Sequence, residues 1–145
     1  AKGLKFGKTF KILSKVFIYK NKTIAEKKII SEIKNNNIEL ICLAGFMKIL
    51  SKNFIKSFKG KILNIHPSLL PKYKGLNTHQ RAISNSDKYS GCTVHFVNSK
   101  LDSGKIILQK KVKISKNDTT KSLAKKILTQ EHKLYPKAIR KVFSL

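Results

Sequence analysis

Cysteine is scarce in this sequence: Cys42 and Cys92 are the two among 145 residues. Each lies in an apolar, strand-like stretch, with neither CxxC spacing nor a histidine cluster beside it, which argues against a redox pair or a zinc site. Both are expected as reduced, buried core residues, since free Cys behaves as a small hydrophobe. No uninterrupted apolar run approaches the length of a membrane span, and the opening residues AKGLKFGK carry no signal-type apolar stretch, so a soluble, cytoplasmic protein is expected. Acidic side chains are few as well, 7 against 32 Lys and Arg, leaving a formal charge of +25 and a pI near 10.3. Such a balance invites a nucleic-acid reading. The lysines, however, are scattered over nearly every expected surface (Lys2, Lys27, Lys52, Lys88, Lys116, Lys125, Lys141), with few arginines and no aromatic-interleaved stripe. A solvated charge that draws in small anions, without specific nucleic-acid binding, is the expectation.

The length suits one domain over 1–145, and there are no internal repeats, linkers or low-complexity tracts beyond an Asn run. Residues 9 to 19, TFKILSKVFIY, read as an extended apolar stretch. Residues 21 to 37 read as an amphipathic helix with Ile24, Ile29, Ile30 and Ile33 on its apolar face, ended by the Asn run. IELICLAG (38 to 45) is a nearly continuous apolar run, as in a strand covered on both faces of a parallel sheet. A short helix is expected through FMKILSKNFIKSF, then a strand at KILNIH (61 to 66). PSLLPKYKGLNTHQ, with two prolines and a glycine, is a shaped loop, and Pro67 and Pro71 bracket its SLL segment, where a cis bond is one option. A helix follows over 78 to 84, then strands at GCTVHFV and KIILQKKVKI divided by NSKLDSG. The last segment, about 118 to 143, has a helical pattern with Leu123, Ile127, Leu134, Ile139 and Val142 inward, Asp118 as N-cap and a bend or break near Pro136. Strands alternating with helices predict an open α/β sheet, mostly parallel and twisted, with helices on both faces and ligands beyond the strands' carboxyl ends.

Asn64 and His66 stand two positions apart at the end of a strand, so their side chains can project into one cleft. Histidine exchanges protons near neutral pH, an amide can donate to a developing oxyanion, and a carboxylate can hold an imidazole; Asp102 is the candidate for that carboxylate. No Ser or Cys lies in an elbow-type motif, so the trio describes acyl transfer or hydrolysis without a protein nucleophile. On residue types alone a capping Asn and a satisfied His before Pro67 remain an open alternative.

The longer strings ICLAGFMKILSKNFI, LNIHPSLLPKYKGLNTHQRA, SGCTVHFVNSKLDSGKIILQ and TQEHKLYP resemble the glycinamide ribonucleotide formyltransferases, in order and spacing, from about Ile41 to Pro136. NIHPSLLP followed by a G and then, further on, the LDxG segment resembles the wider 10-formyltetrahydrofolate-dependent family. Methionyl-tRNA formyltransferases tend to continue the loop as RGAAP, and formyltetrahydrofolate deformylases replace HPS with HHS; KYKGLNTH with GCTVHFV looks like neither. The resemblance implies a Rossmann-like formyltransferase fold and a formyl transfer in purine synthesis, from 10-formyltetrahydrofolate to the amine of glycinamide ribonucleotide. The partners it implies are these two small molecules, with no metal and no membrane, in a monomer or homodimer. A deformylase, or a formyltransferase acting on tRNA or a sugar nucleotide, is the alternative within the chemistry; a basic nucleic-acid-binding module is the remote one.

By resemblance Asn64, His66 and Asp102 match the catalytic positions. Met47, Lys48, Ile49, Leu50 and Ile55 match the folate pocket, with Val97, Asn98, Ser99, Lys100 and Leu101 supplying backbone to the pterin ring. Lys48 stands where Arg is common, keeping the charge without a bidentate grip. Pro67 and Glu131 match substrate-binding positions, Glu131 for the ribose hydroxyls, although Leu128 stands one turn earlier where a polar partner is often seen. His79 and His95 match supporting positions, and Asn77 stands where some relatives have His. The family begins with a strand, a Gly-Ser-Asn turn and a helix that binds the substrate phosphate. Nothing comparable precedes Lys8, because AKGLKFGK lacks GxGxN spacing and reads as a helix end and turn. The expectation is a fragment without that first βα unit and without the family's C-terminal tail, exposing a sheet edge.

Overall fold

A computed structural model describes residues 3–144, and its contacts divide the chain into two compact units, 1–37 and 38–145. The first holds two helices, α1 (Gly3–Thr9) and α2 (Lys22–Asn35). α1 replaces the expected helix end and turn, although Ala1 and Lys2 lie outside the described residues. Asn21 caps α2 by accepting from the Ile24 amide at 3.1 Å, and Asn37 leaves the helix in the left-handed region, φ 50°. That is a conformation Asn tolerates better than most residues.

Residues 12–18 of the expected extended stretch carry no regular secondary structure, and Phe10, Ile12, Leu13, Val16 and Ile18 are exposed. The expected apolar face of α2 needs one correction. Ile24 stands exposed, whereas Ala25 and Glu26 are buried and Ile29, Ile30 and Ile33 are half-buried. The Tyr19 hydroxyl donates to Glu26 at 3.2 Å; burial, then the Glu26 charge, pushes its pKa to about 12. Lys15 pairs with Glu32.

The second unit is an open four-stranded sheet in the order β1 (Leu40–Leu43), β2 (Lys61–His66), β3 (Tyr89–Phe96), β4 (Ile106–Lys113). The α/β architecture is as expected, but the predominance of parallel pairing is not. β1 and β2 run parallel, and the pairs β2–β3 and β3–β4 are antiparallel. Hydrophobic patterning identifies a buried strand without stating its direction, which depends on the connection. β1 also falls short of being covered on both faces: Cys42 is exposed, against the expectation of a core thiol, while Cys92 is buried. Between β1 and β2, regular helix is confined to α3 (Lys52–Ser57), capped by Ser51, which accepts from the Phe54 amide at 3.0 Å. The preceding residues 44–50 form bends instead of the expected longer helix.

The core gathers Leu63 and Ile65 of β2, Cys92 and Val94 of β3, Ala82 of α4 (Thr78–Ser84), and Leu123, Ile127, Leu134 and Ala138 of α5 (Thr120–Phe143). The spacing of the last four is the one-face period of a helix laid on the sheet. α5 passes Pro136 unbroken, with buried Leu134 and Ala138 on either side; packing on both flanks tolerates the one missing N–H. Its N-cap is Thr119 and not Asp118. Thr119 and Ser122 form a reciprocal capping box, and Asp118 accepts from Ser115 N, Ser122 Oγ and Lys126 Nζ at 2.6 to 2.7 Å. These bonds, Lys126 first, hold the Asp118 carboxyl down at about 2. No helix among the described residues is long and apolar enough to cross a membrane.

Candidate active site

Because side chains alternate along a strand, Leu63 and Ile65 enter the core under α5 while Asn64 and His66 project from the opposite face. The antiparallel register then sets His95 across from Asn64 and Thr93 across from His66. After β3 the chain turns back at Gly104, whose missing side chain lets the backbone approach the Phe96 carbonyl; a Cβ there would lie 1.6 Å from that oxygen. This turn carries Asp102, in the left-handed region at φ 43°, over the same face.

Four polar side chains meet there. His66 Nδ1 lies 3.4 Å from Asp102 Oδ2, His95 Nε2 lies 3.8 Å from Asp102 Oδ1, and Asn64 Nδ2 lies 3.3 Å from His95 Nε2. The His66, Asp102 and His95 side chains are only 7%, 10% and 3% exposed. The tautomers follow from the partners. His95 Nδ1 faces the Phe96 carbonyl at 2.8 Å and must donate to it, so Nε2 of the neutral ring accepts from the Asn64 amide. Burial, first, lowers the His95 pKa and favours that neutral form. His66 Nε2 donates to the Tyr73 carbonyl at 2.8 Å. Its Nδ1 therefore faces a carboxylate, and a protonated ring finds an acceptor at each nitrogen. Asp102 Oδ2 also accepts the Gly75 amide at 2.9 Å, a charge-assisted bond that orients the carboxylate.

The loop between β2 and α4 is tied down by a buried hydroxyl. Thr93 Oγ1, fully buried, donates to the Ser68 carbonyl at 2.6 Å and accepts from Leu70 N at 3.1 Å and Gln109 Nε2 at 2.8 Å. Gln109 Nε2 also donates to the Leu70 carbonyl at 2.9 Å, and the Leu70–Pro71 bond is cis. The tie joins β3 and β4 to the segment that delivers the Tyr73 carbonyl.

The other expected positions fall differently. His79 is half-buried at the start of α4; its pKa is lowered by burial and then by His66, and its Nδ1 is buried without a hydrogen-bond partner among the described residues. Met47, Lys48 and Ile49 are exposed, Ile55 is half-buried, and Leu50 is buried at 6% exposure. Val97 donates its amide to Ile62; Asn98, Ser99, Lys100 and Leu101 are exposed. Pro67 follows His66 directly and is half-buried. Glu131 is not joined to the four by any hydrogen bond or ion pair among the described residues. It sits half-buried on α5, its carboxyl pushed up by burial, close enough to help raise the Cys92 thiol to about 12 after burial itself. Sequence reasoning missed Tyr73, Gly75, Thr93 and Gln109. Gly75 and Tyr73 had a visible signal in the Pro-Lys-Tyr-Lys-Gly turn, whereas Thr93 and Gln109 had none. No grouping of three or more His, Cys, Asp or Glu able to hold a metal occurs among the described residues.

Residues 1–139 match the family model described as formyl transferase. This chain belongs to the formyl transferase family. Relatives within it include the phosphoribosylglycinamide formyltransferase of Haemophilus influenzae, 53% identical over 103 residues, 71% of this chain and 49% of that protein. The trifunctional purine biosynthetic protein adenosine-3 of Chironomus tentans is likewise 53% identical, over 79% of this chain and 8% of its own length. A crystal structure of phosphoribosylglycinamide formyltransferase from Brucella melitensis superposes with a TM-score of 0.90 at 42% identity, covering 99% of this chain and 74% of that one. The chain thus spans about half the length of the bacterial curated relative, and a small part of the trifunctional one. A folate-derived formyl donor is what membership of the formyl transferase family implies.

Proposed function

We propose that this chain carries the reacting centre of a glycinamide ribonucleotide formyltransferase, which moves a formyl group from 10-formyltetrahydrofolate to the primary amine of glycinamide ribonucleotide. The observation that carries the reading is the placement of the His66 ring, nearly buried, between the Asp102 carboxylate and the Tyr73 carbonyl, with His95 Nε2 near both that carboxylate and the Asn64 amide. The amine nitrogen attacks the formyl carbon, forming one C–N bond and placing negative charge on the formyl oxygen. Asn64, whose amide has a second N–H beyond the one given to His95, donates to that oxygen. Protonated His66, backed by Asp102, supplies positive charge in a water-poor setting where it counts most. The bond to N10 of the folate then breaks, the proton lost by the amine ends on N10, and tetrahydrofolate leaves. Holding amine and formyl carbon in contact supplies a further share, about 7 to 11 kcal/mol at the best geometries.

Exposed Met47, Ile49 and Leu101 offer apolar contact for a folate ring, the Val97–Leu101 backbone offers hydrogen bonds to the pterin, and Lys48 offers a cation to the glutamate tail. Glu131 is the candidate for the ribose hydroxyls and Pro67 for the substrate backbone; His79 and His95 support the centre. A cytoplasmic site of action and a monomer or homodimer complete the reading.

The test is a formyl-transfer assay with identified products on the chain, beside His66→Ala. Loss of about 10²- to 10⁴-fold in kcat with folate binding retained is expected for an acid–base and electrostatic group. Undiminished turnover removes His66 from the mechanism. Release of formate in place of formylated amine assigns a deformylase instead.

A further inference from the structure

We infer that Tyr73 is a positioning residue for His66: its side chain, gripped by Asp87, Asn85 and Arg81, aims its carbonyl at His66 Nε2, leaving Nδ1 to face the substrate. This rests on the formyl-transfer reading for its kinetic consequence and on geometry alone for its structural one.

Tyr73 adopts φ 54°, the left-handed region, which is disfavoured for a residue that carries a side chain. A bulky residue stays there only where its surroundings hold it. They do so at several points. The Tyr73 hydroxyl donates to Asp87 Oδ2 at 2.8 Å and accepts from Asn85 Nδ2 at 2.8 Å. The Arg81 guanidinium lies 4.9 Å from the ring centroid, and Arg81 Nη1 donates to the next carbonyl, Lys74 O, at 2.8 Å. Lys72 Nζ bridges both Asp87 oxygens at 2.8 and 3.0 Å, and the Lys72 carbonyl accepts from Ser68 Oγ at 2.6 Å. The ring also packs against the core under α5. With the ring and both flanking residues tied, the Tyr73 carbonyl has one direction, toward His66.

The consequence lies in the two distances at the imidazole. Nε2 to the Tyr73 carbonyl is 2.8 Å, a full hydrogen bond, whereas Nδ1 to Asp102 is 3.4 Å, beyond the usual range. Nε2 is therefore the anchored nitrogen, and Nδ1 is the one with freedom to reach a substrate oxygen or a bridging water while staying in the field of Asp102. The charged or titratable groups around the ring are Asp102, His79 and His95; none replaces the carbonyl at Nε2.

The experiment uses the chain with 15N-labelled histidine, its Tyr73→Phe variant, which loses the hydroxyl bonds and keeps the ring, and Asp87→Asn, which weakens the same grip from the other side. At about pH 8.5, where an ordinary imidazole is neutral, His66 of the parent should be almost wholly the Nε2–H tautomer, and both variants should show the Nδ1–H form as well. In the formyl-transfer assay both should lower kcat about tenfold, part of the roughly hundredfold that an ångström of misplacement can cost, with KM for either substrate unchanged within about twofold. If Tyr73→Phe does not fold, Asp87→Asn alone decides. A parent tautomer with the proton on Nδ1, or variants with unaltered tautomer and kcat, overturns the proposal. A parent without formyl transfer overturns the functional reading instead, and the tautomer then decides this one.

Discussion

Replacing Thr93 with Val is a nearly isosteric change at a fully buried position, so it isolates the hydrogen bonds of one hydroxyl. In the native chain that oxygen serves three partners at 2.6, 2.8 and 3.1 Å. Gln109 keeps its bond to the Leu70 carbonyl, but the Leu70 amide and the Ser68 carbonyl lose their hydrogen bonds to β3. A buried polar group left without a partner costs about 1 to 3 kcal/mol, and a bond that is merely weakened costs less. Two groups stranded and one weakened, partly relieved by local relaxation, give an expected loss of about 2 to 4 kcal/mol, a large share of the 5 to 15 kcal/mol typical of a domain. Urea unfolding measures it, as a lower midpoint at unchanged slope. Hydrogen exchange at the Leu70 amide should accelerate more than at β4 amides, because the loop loosens before the sheet does. Thr93→Ser keeps the hydroxyl and should recover most of the loss. A loss below about 0.5 kcal/mol, or a Ser variant as weak as Val, would refute the claim that this hydroxyl holds the loop.

Acidification should destabilise the fold through its buried histidines. His79 and His95 have folded pKa values lowered below 6.5 by burial, so as pH falls below about 6.5 the unfolded chain takes up protons that the native one refuses. The urea midpoint should drop between about pH 7 and 5.5, and His79→Gln should flatten part of the drop; Glu131, raised above 4.5 by burial, acts in the opposite sense at lower pH. A midpoint that does not move over this range contradicts the burial argument. Gly104→Ala would press a Cβ into the Phe96 carbonyl, the oxygen that also receives His95 Nδ1. A loss of at least about 2 kcal/mol is expected from such a backbone clash, measured by thermal unfolding, and wild-type stability would refute the close approach at Gly104.

Much of this molecule was legible in one dimension. The helix at 78 to 84, the strands at 61 to 66 and near 89 to 96 and 106 to 113, and the inward face of α5 were all marked by periodicity, because alternation and the 3.6-residue repeat are local records of which face is buried. Asn64, His66 and Asp102 stood out by residue type and motif. The structure places the three side chains around one point.

Tertiary contact alone settled the rest. Local patterning is blind to strand direction, so a sheet with one parallel pair and two antiparallel ones was read as mostly parallel. It is equally blind to whether an apolar segment is covered, and Ile12, Leu13, Val16 and Ile18 are exposed. Asp118 and Thr119 both satisfy the preference for a capping side chain; the position of Lys126 and Ser122 gave the carboxylate other partners and left the cap to Thr119. The bond at His66 Nε2 comes from a main-chain carbonyl seven residues away, a group every residue carries. Its direction depends on a tyrosine ring held by α4 and the turn after it, and only the folded chain brings those together.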